Sequence, residues 1–161
     1  MSQFKLQQVA PEITDYSRFR VAVVAAEFNS HITNALLEGV VWGLQQYKIA
    51  ESDIQVFAVP GAFELPVAAQ KLAGSDDYDA IICLGAVIKG GTPHFDYVCQ
   101  SAAIGILQAG LNTEVPVIFG VLTTDTEEQA EARCTTGDNL ERDNKGYEAA
   151  LTAIKMMVLF E

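Results

Sequence analysis

Two histidines and three cysteines are all that the 161-residue sequence offers of the side chains that most often hold transition metals. Cys83, Cys99 and Cys134 are odd in number and widely spaced, so they make neither a disulfide framework nor a metal-ligand pattern. They read as reduced thiols. Cys83 and Cys99 are expected in the core, and no metal site is expected. Cations are scarce as well: ten Lys and Arg face 21 Asp and Glu, a formal charge of −11. That balance repels nucleic acid and anionic lipid, and excludes both as natural partners. No apolar run approaches the ~20 residues that cross a bilayer. The opening MSQFKLQQVAPE lacks the basic segment and apolar block of a secretion signal, so a cytoplasmic location is expected. Internal repeats, low-complexity tracts and linkers are also missing, which leaves one expected domain over residues 1–161.

What is present centres on Gly85–Tyr97, GAVIKGGTPHFDY. The apolar run Ala80–Ile88 leads into it and reads as a strand buried on both faces. Lys89, Gly90 and Gly91 break the run. Thr92 stands at a helix N-cap, with Pro93 at the first helical position and His94 in the first turn. A strand, a glycine turn and a capped helix start aim free N–H groups and the positive end of a helix dipole at one spot, which suits an anion. One histidine stands beside it. With so few cations, those that bind a phosphate must be concentrated there; Lys89, Arg133 and Lys145 flank the candidate segments.

Along the chain, Phe4, Leu6 and Val9 alternate with polar residues as in a strand, able to pair with its own sheet or a neighbour's. Arg20–Ala26 reads as a buried strand, followed by a helix capped by Asn29 or Ser30 with Ile32, Leu36, Val40, Leu44 and Tyr47 at helical spacing. Trp42 on that helix is expected in the core or at a subunit contact. Ile54–Val59 is a further strand. Pro60 and Gly61 end it, and Ala62, Phe63 and Glu64 open a helix reaching about Leu72. After the central helix, Pro93 to about Leu111, come a strand at Pro116–Leu122, a short acidic helix within Thr124–Cys134, a polar loop at Thr135–Asp143 and a last helix at Lys145–Phe160. Strands alternating with helices predict a parallel α/β sheet with helices on both faces. In such sheets ligands bind beyond the carboxyl ends of the strands. Three unusual turns fall there: Glu27–Ser30, Pro60–Glu64 and Lys89–His94.

With those turns placed, the chain resembles the 6,7-dimethyl-8-ribityllumazine synthase family. The matching segments are AEFNSHIT (Ala26–Thr33), VPGAFELP (Val59–Pro66), LGAVIKGGTPHFDYV (Leu84–Val98), PVIFGVLTT (Pro116–Thr124), EQAEAR (Glu128–Arg133) and DNKGYEAA (Asp143–Ala150). The resemblance implies a three-layer α/β/α fold of flavodoxin type with about four parallel strands. It implies a transferase of riboflavin biosynthesis, using no cofactor and two small-molecule substrates, 5-amino-6-(D-ribitylamino)uracil and 3,4-dihydroxy-2-butanone 4-phosphate. By matching position, it implies that Phe28 stacks on the pyrimidine and that Ala62, Phe63 and Glu64 hold the pyrimidine and its ribityl chain. Ala86, Val87 and Ile88 would line the ring, and Phe119 of the adjacent subunit would close the pocket. Gly91 and Thr92 would take the phosphate, with Arg133 pairing to it and Lys145 assisting. His94 would move protons.

The residues agree with most of these roles. Flat rings want aromatic faces, ribityl hydroxyls want acceptors such as Glu64, and phosphate wants a guanidinium and a helix start. Blander readings stand beside them. Phe119 lies in an apolar strand and fits core packing; Glu64 fits a first-turn carboxylate; Arg133 fits a surface helix end; Lys89 either adds positive field or merely ends a strand in solvent. His31 is expected at the surface or an interface, and Asp125, Glu127, Glu128 and Glu131 on a solvated helix face. The segment Thr135–Arg142 is longer than in the compact family pattern, which leaves the placement of Lys145 open. Longer segments here accompany free pentamers, so a homopentamer is expected, with a decamer or a sixty-subunit shell as alternatives. Two rival functions remain: a flavin or nucleotide carrier on the same sheet edge, and a structural shell protein with a decayed site.

Overall fold

Uninterrupted apolar residues form the strands, and the longest such run sits deepest. The computed structural model describes residues 15–161. The strand expected at Phe4–Val9 lies outside the described residues. Strands β1 (Val21–Ala26), β2 (Ile54–Val59), β3 (Ala80–Ile88) and β4 (Val117–Thr124) form a parallel sheet in the order β2-β1-β3-β4. Helices α1 (Ser30–Gln46) and α6 (Lys145–Leu159) cover one face. Helices α2 (Leu65–Ala73) and α3 (His94–Thr113) cover the other. The result is the expected three-layer α/β/α fold. Two short helices, α4 (Glu127–Glu131) and α5 (Leu140–Asp143), precede α6.

The strands' period of two decides which core each side chain joins. Val21, Val23, Ile82 and Leu84 pack under α1 and α6, whereas Ala22, Val24, Ile81 and Cys83 pack under α2 and α3. Ile81, Ile82 and Leu84 are fully buried, and each such side chain contributes roughly 1.5–3 kcal/mol. β3 is therefore the anchor of both cores. β2, read from sequence as another apolar strand, is an edge strand whose Gln55, Val56 and Ala58 are exposed; an edge has only one neighbour to bury against.

Several local expectations shift. Helix α1 begins at Ser30, but Asn29 does not cap it with its side chain; Asn29 adopts a left-handed conformation at φ 57° and its amide donates to the Ala86 carbonyl at 2.9 Å. Thr92 Oγ1 accepts from the His94 N–H at 3.4 Å, as the expected cap would, although regular α3 starts at His94. The acidic helix is confined to Glu127–Glu131, capped by a Thr126–Gln129 capping box. The polar loop after Cys134 is more ordered than its composition suggests: a 3₁₀ turn at Gly137–Asn139 runs into α5, and Leu140 is buried. Trp42 is not core; it is 44% exposed, and its indole donates to Glu141 at 3.0 Å. Cys99 is only half-buried.

Helices α1 and α6 meet backbone to backbone. A β-carbon at Gly146 would run into the Leu36 carbonyl oxygen, and one at Gly39 into the Asn144 side chain. Backbone cannot yield as a flexible side chain can, so overpacking here forces the helices apart. Gly146→Ala is expected to lower the unfolding free energy by about 3 kcal/mol, read from urea denaturation; an unchanged midpoint would mean that the helices do not approach this closely.

Candidate active site

The cavity at the carboxyl edge of the sheet is built by the three turns singled out in the sequence. It has a volume of about 600 Å³ and is lined by Phe28 after β1, by Pro60–Glu64 after β2, and by Ala86–Ile88, Gly90, Thr92, His94, Phe95 and Val98 at the end of β3 and the start of α3. That volume suits a small molecule. The turns are tied together. Phe28 N–H donates to the Pro60 carbonyl at 3.1 Å, and Glu27 N–H to Val59 at 2.8 Å. The Asn29 amide bond to Ala86 fastens the first turn to the end of β3.

Strand lengths explain why a cavity opens there. β3 pairs with β1 only as far as Ala25↔Leu84 but with β4 as far as Ile88↔Thr124. In a parallel strand successive residues turn their backbone groups to opposite neighbours. Lys89 N–H bonds Thr124 on the β4 side, and the Ala86 carbonyl reaches Asn29 on the β1 side. Ile88 therefore turns its N–H and C=O toward the β1 side, beyond the end of that ladder. Those groups can meet the polar edge of a planar ligand as another strand would.

Phe28 is 72% exposed and Phe63 61% exposed, so neither is a core aromatic. Their faces are left for a ligand or a partner. Glu64 is half-buried and lines the same cavity. His94 is exposed at the rim, with no ring hydrogen bond among the described residues. Gly91 lies between Gly90 and Thr92 without lining the cavity itself.

A second cavity, of about 640 Å³, runs along β4 and α6. Phe119, Arg133 and Lys145 line it together with Thr124, Glu148, Thr152 and others, and it shares no lining residue with the first. Phe119 is 45% exposed, so core packing does not account for it. Lys145 N–H donates to the Arg133 carbonyl at 2.8 Å, so the two cations flank one short bridge. Arg133 Nη1 donates to the Gln129 carbonyl at 2.8 Å. Among the described residues its guanidinium has no carboxylate partner, in a chain with a formal charge of −11. Lys145 pairs with Glu148 at 2.7 Å, but both are about half exposed and such a pair exchanges easily. Lys89 reaches only Asp125, at 3.7 Å, and lines neither cavity. His31 lies on the surface against Glu127 at 2.7 Å.

The thiols are poor nucleophiles. Burial pushes Cys83 up to about 12, and burial followed by the neighbouring carboxylates Asp96 and Glu131 raises Cys99 and Cys134 respectively. The reading from sequence did not single out Phe95 and Val98, or Glu148 and Thr152. The signal for Val98, Glu148 and Thr152 is helical spacing, from His94 along α3 and from Lys145 along α6; Phe95 is simply the neighbour of His94.

A flavodoxin-type sheet carrying an aromatic-rimmed crevice, a histidine and a helix start beyond β1 and β3 defines a class of α/β proteins that bind small anionic ligands at the strand ends. The sequence profile of the 6,7-dimethyl-8-ribityllumazine synthase family matches residues 18–161. The chain belongs to that family of transferases, and lumazine synthesis in riboflavin biosynthesis is its function.

Proposed function

We propose that the first cavity is the pyrimidine half of the active site, and that Phe119, Arg133 and Lys145 of an adjoining copy supply the other half. The observation that carries this reading is the lining of the first cavity, which gathers Phe28, Ala62, Phe63, Glu64, Ala86, Val87, Ile88, Thr92 and His94 from three separated turns. The placement of Phe119, Arg133 and Lys145 on a different wall of the same chain supports a site completed only by assembly.

In this reading 5-amino-6-(D-ribitylamino)uracil lies between Phe28 and the neighbour's Phe119. Its ring edge meets the free backbone of Ile88, and Glu64 accepts from the ribityl hydroxyls. The phosphate of 3,4-dihydroxy-2-butanone 4-phosphate sits over Gly91 and Thr92 at the start of α3, held by the neighbour's Arg133 in bidentate fashion and by Lys145. The amine attacks the ketone, an imine forms with loss of water, phosphate departs, and ring closure expels a second water. His94, at the rim between the two substrates, relays protons in the elimination and the closure. No metal or organic cofactor enters this scheme. An amine and a ketone condense readily, so holding them in register supplies most of the acceleration.

Self-association follows from the divided site. Tyr97, Ile104 and Leu111 recur every seven residues on α3 with Leu107 among them, all exposed, and an apolar stripe of this kind supports burial against other copies. The assembly is a homopentamer of single-domain chains spanning residues 1–161, with a decamer or sixty-subunit shell as the alternatives, and it works in the cytoplasm. No helix among the described residues is long and apolar enough to cross a membrane.

The test of the reaction is simultaneous measurement of lumazine absorbance and released phosphate when the protein meets both substrates; a bound yellow ligand with no phosphate release would instead favour a flavin carrier. In that assay His94→Ala is expected to slow turnover by less than the roughly 10²–10⁴-fold typical of acid–base groups. Abolished turnover with both substrates still bound would refute catalysis by register. Arg133→Ala is expected to raise KM for the butanone phosphate by roughly 10–100-fold while KM for the pyrimidine holds, and equal loss of both affinities would remove Arg133 from the phosphate. Light scattering is expected to give the mass of five chains; a particle near that of sixty would overturn the pentamer.

A further inference from the structure

Asn144 is a fully buried polar side chain, and all four of its hydrogen-bonding positions are used. Its Oδ1 accepts from the N–H groups of Gly146 at 2.8 Å and Tyr147 at 3.2 Å, which caps α6. Its Nδ2 donates to the carbonyl of Ala35 in α1 at 2.9 Å and to that of Thr135 at 3.0 Å. A cap needs only the oxygen. The two donated bonds reach elements that a cap does not touch.

Their targets explain them. Residues 135–143 leave the fold and return as a closed excursion. At its base Cys134 bridges Asn144 antiparallel, Thr135 N–H meets Asp143, and Lys145 N–H meets Arg133. Arg133 and Lys145 are the residues immediately outside this closure. The bond from Nδ2 to Thr135 pulls the outgoing strand of the excursion against the returning one, and the bond to Ala35 fixes both to the rigid middle of α1. The glycine at position 39 gives the room, since a β-carbon there would collide with the Asn144 amide.

We infer that Asn144 is a positioning residue for the Arg133–Lys145 cation pair: its four hydrogen bonds set the spacing of the two cations and isolate it from the excursion between them. The inference rests on the reading of that pair as the phosphate-holding half of the site. An unanchored base would let Arg133, which has no carboxylate partner of its own among the described residues, drift from the geometry that bidentate contact with a phosphate requires.

The decisive variant is Asn144→Asp in the full, assembled chain. It keeps an oxygen for the Gly146 and Tyr147 N–H groups, so α6 remains capped, and it loses both donations to Ala35 and Thr135. KM for 3,4-dihydroxy-2-butanone 4-phosphate is expected to rise about tenfold, with kcat and the pyrimidine KM each held within about twofold. The dissociation constant of inorganic phosphate, titrated calorimetrically, is expected to weaken in parallel. Gly43→Ala is the control for mere destabilisation: its new β-carbon presses on Ala150 at 2.7 Å and on the Tyr147 ring at 3.1 Å in the same α1–α6 contact, without touching Asn144 or the excursion. It is expected to lower the melting temperature and leave phosphate affinity alone. If Asn144→Asp does not accumulate as folded protein, Asn144→Ser, which keeps a cap acceptor and cannot reach Ala35 or Thr135, takes its place. Unchanged phosphate affinity, or equal losses in kcat and both KM values, would overturn the inference. Failure of the unaltered protein to form lumazine would overturn the proposed reaction instead, and the phosphate titration would still read the effect of Asn144.

Discussion

β3 outruns β1, and the site exists because it does. The two strands part after Leu84, whereas β3 stays paired to β4 through Ile88. A ladder that ended evenly would leave a flush rim with its polar groups consumed. The stagger leaves a step. Asn29 bridges it at one point by binding the Ala86 carbonyl, and the remainder stays open to a ligand. The step is stable because β3 is buried from both sides through Ile81, Ile82, Cys83 and Leu84. The apolar cores and the polar step are thus two consequences of one strand, and the position of the cavity is fixed by packing well away from it.

The same strand separates the two halves of the site. Phe28 and His94 stand near β1 and the start of α3, while Phe119 projects from β4, Arg133 follows α4 and Lys145 opens α6. These are different walls of one molecule. In the proposed site they meet only between copies, which gives assembly a chemical purpose. On that proposal a single chain presents the first cavity without the guanidinium and has no means of holding the second reactant in register. The exposed Phe28 and Phe63 fit this arrangement, because an aromatic face held ready for a ligand or a neighbour cannot also serve its own core.

Much of this was legible in the chain. The Val- and Ile-rich runs specified the strands, and Pro60-Gly61 after β2 and Gly90-Gly91 after β3 marked the edge at which those two end, since punctuation of that kind is local chemistry. The three turns of the first cavity were legible for the same reason. The stagger between β1 and β3 was not, because it depends on how strands of unequal length settle against common helices. Asn29 stands at the N-cap of α1 as its residue type suggested, but its side chain makes no cap bond, because its amide found a carbonyl fifty-seven positions along the chain. The segment after Cys134 was misread as a plain loop because Leu140 is one apolar residue among polar neighbours, and one residue makes no period. Of the two places expected for Trp42, the core or a subunit contact, its exposure removes the core, because hydrophobicity without register does not say which way a helix turns its faces.

The segment between Arg133 and Lys145 illustrates how a fold can carry an exposed excursion. Loop-closure entropy grows slowly with length, so extra residues in an exposed excursion cost little. The danger lies at the base, where a wider loop would carry the two cations apart. Here the base is closed by backbone bonds on either side of Asn144, and that side chain is buried and fully bonded, so residues 135–143 lie outside a fixed frame. α5 and Leu140 then pack the excursion back beside α1, where Glu141 meets Trp42. Trp42, Leu37, Val41 and Leu140 line one shallow groove on the outer face of α1. Residues 135–143 therefore shape that outer surface, while the frame around the proposed phosphate site is closed at their base.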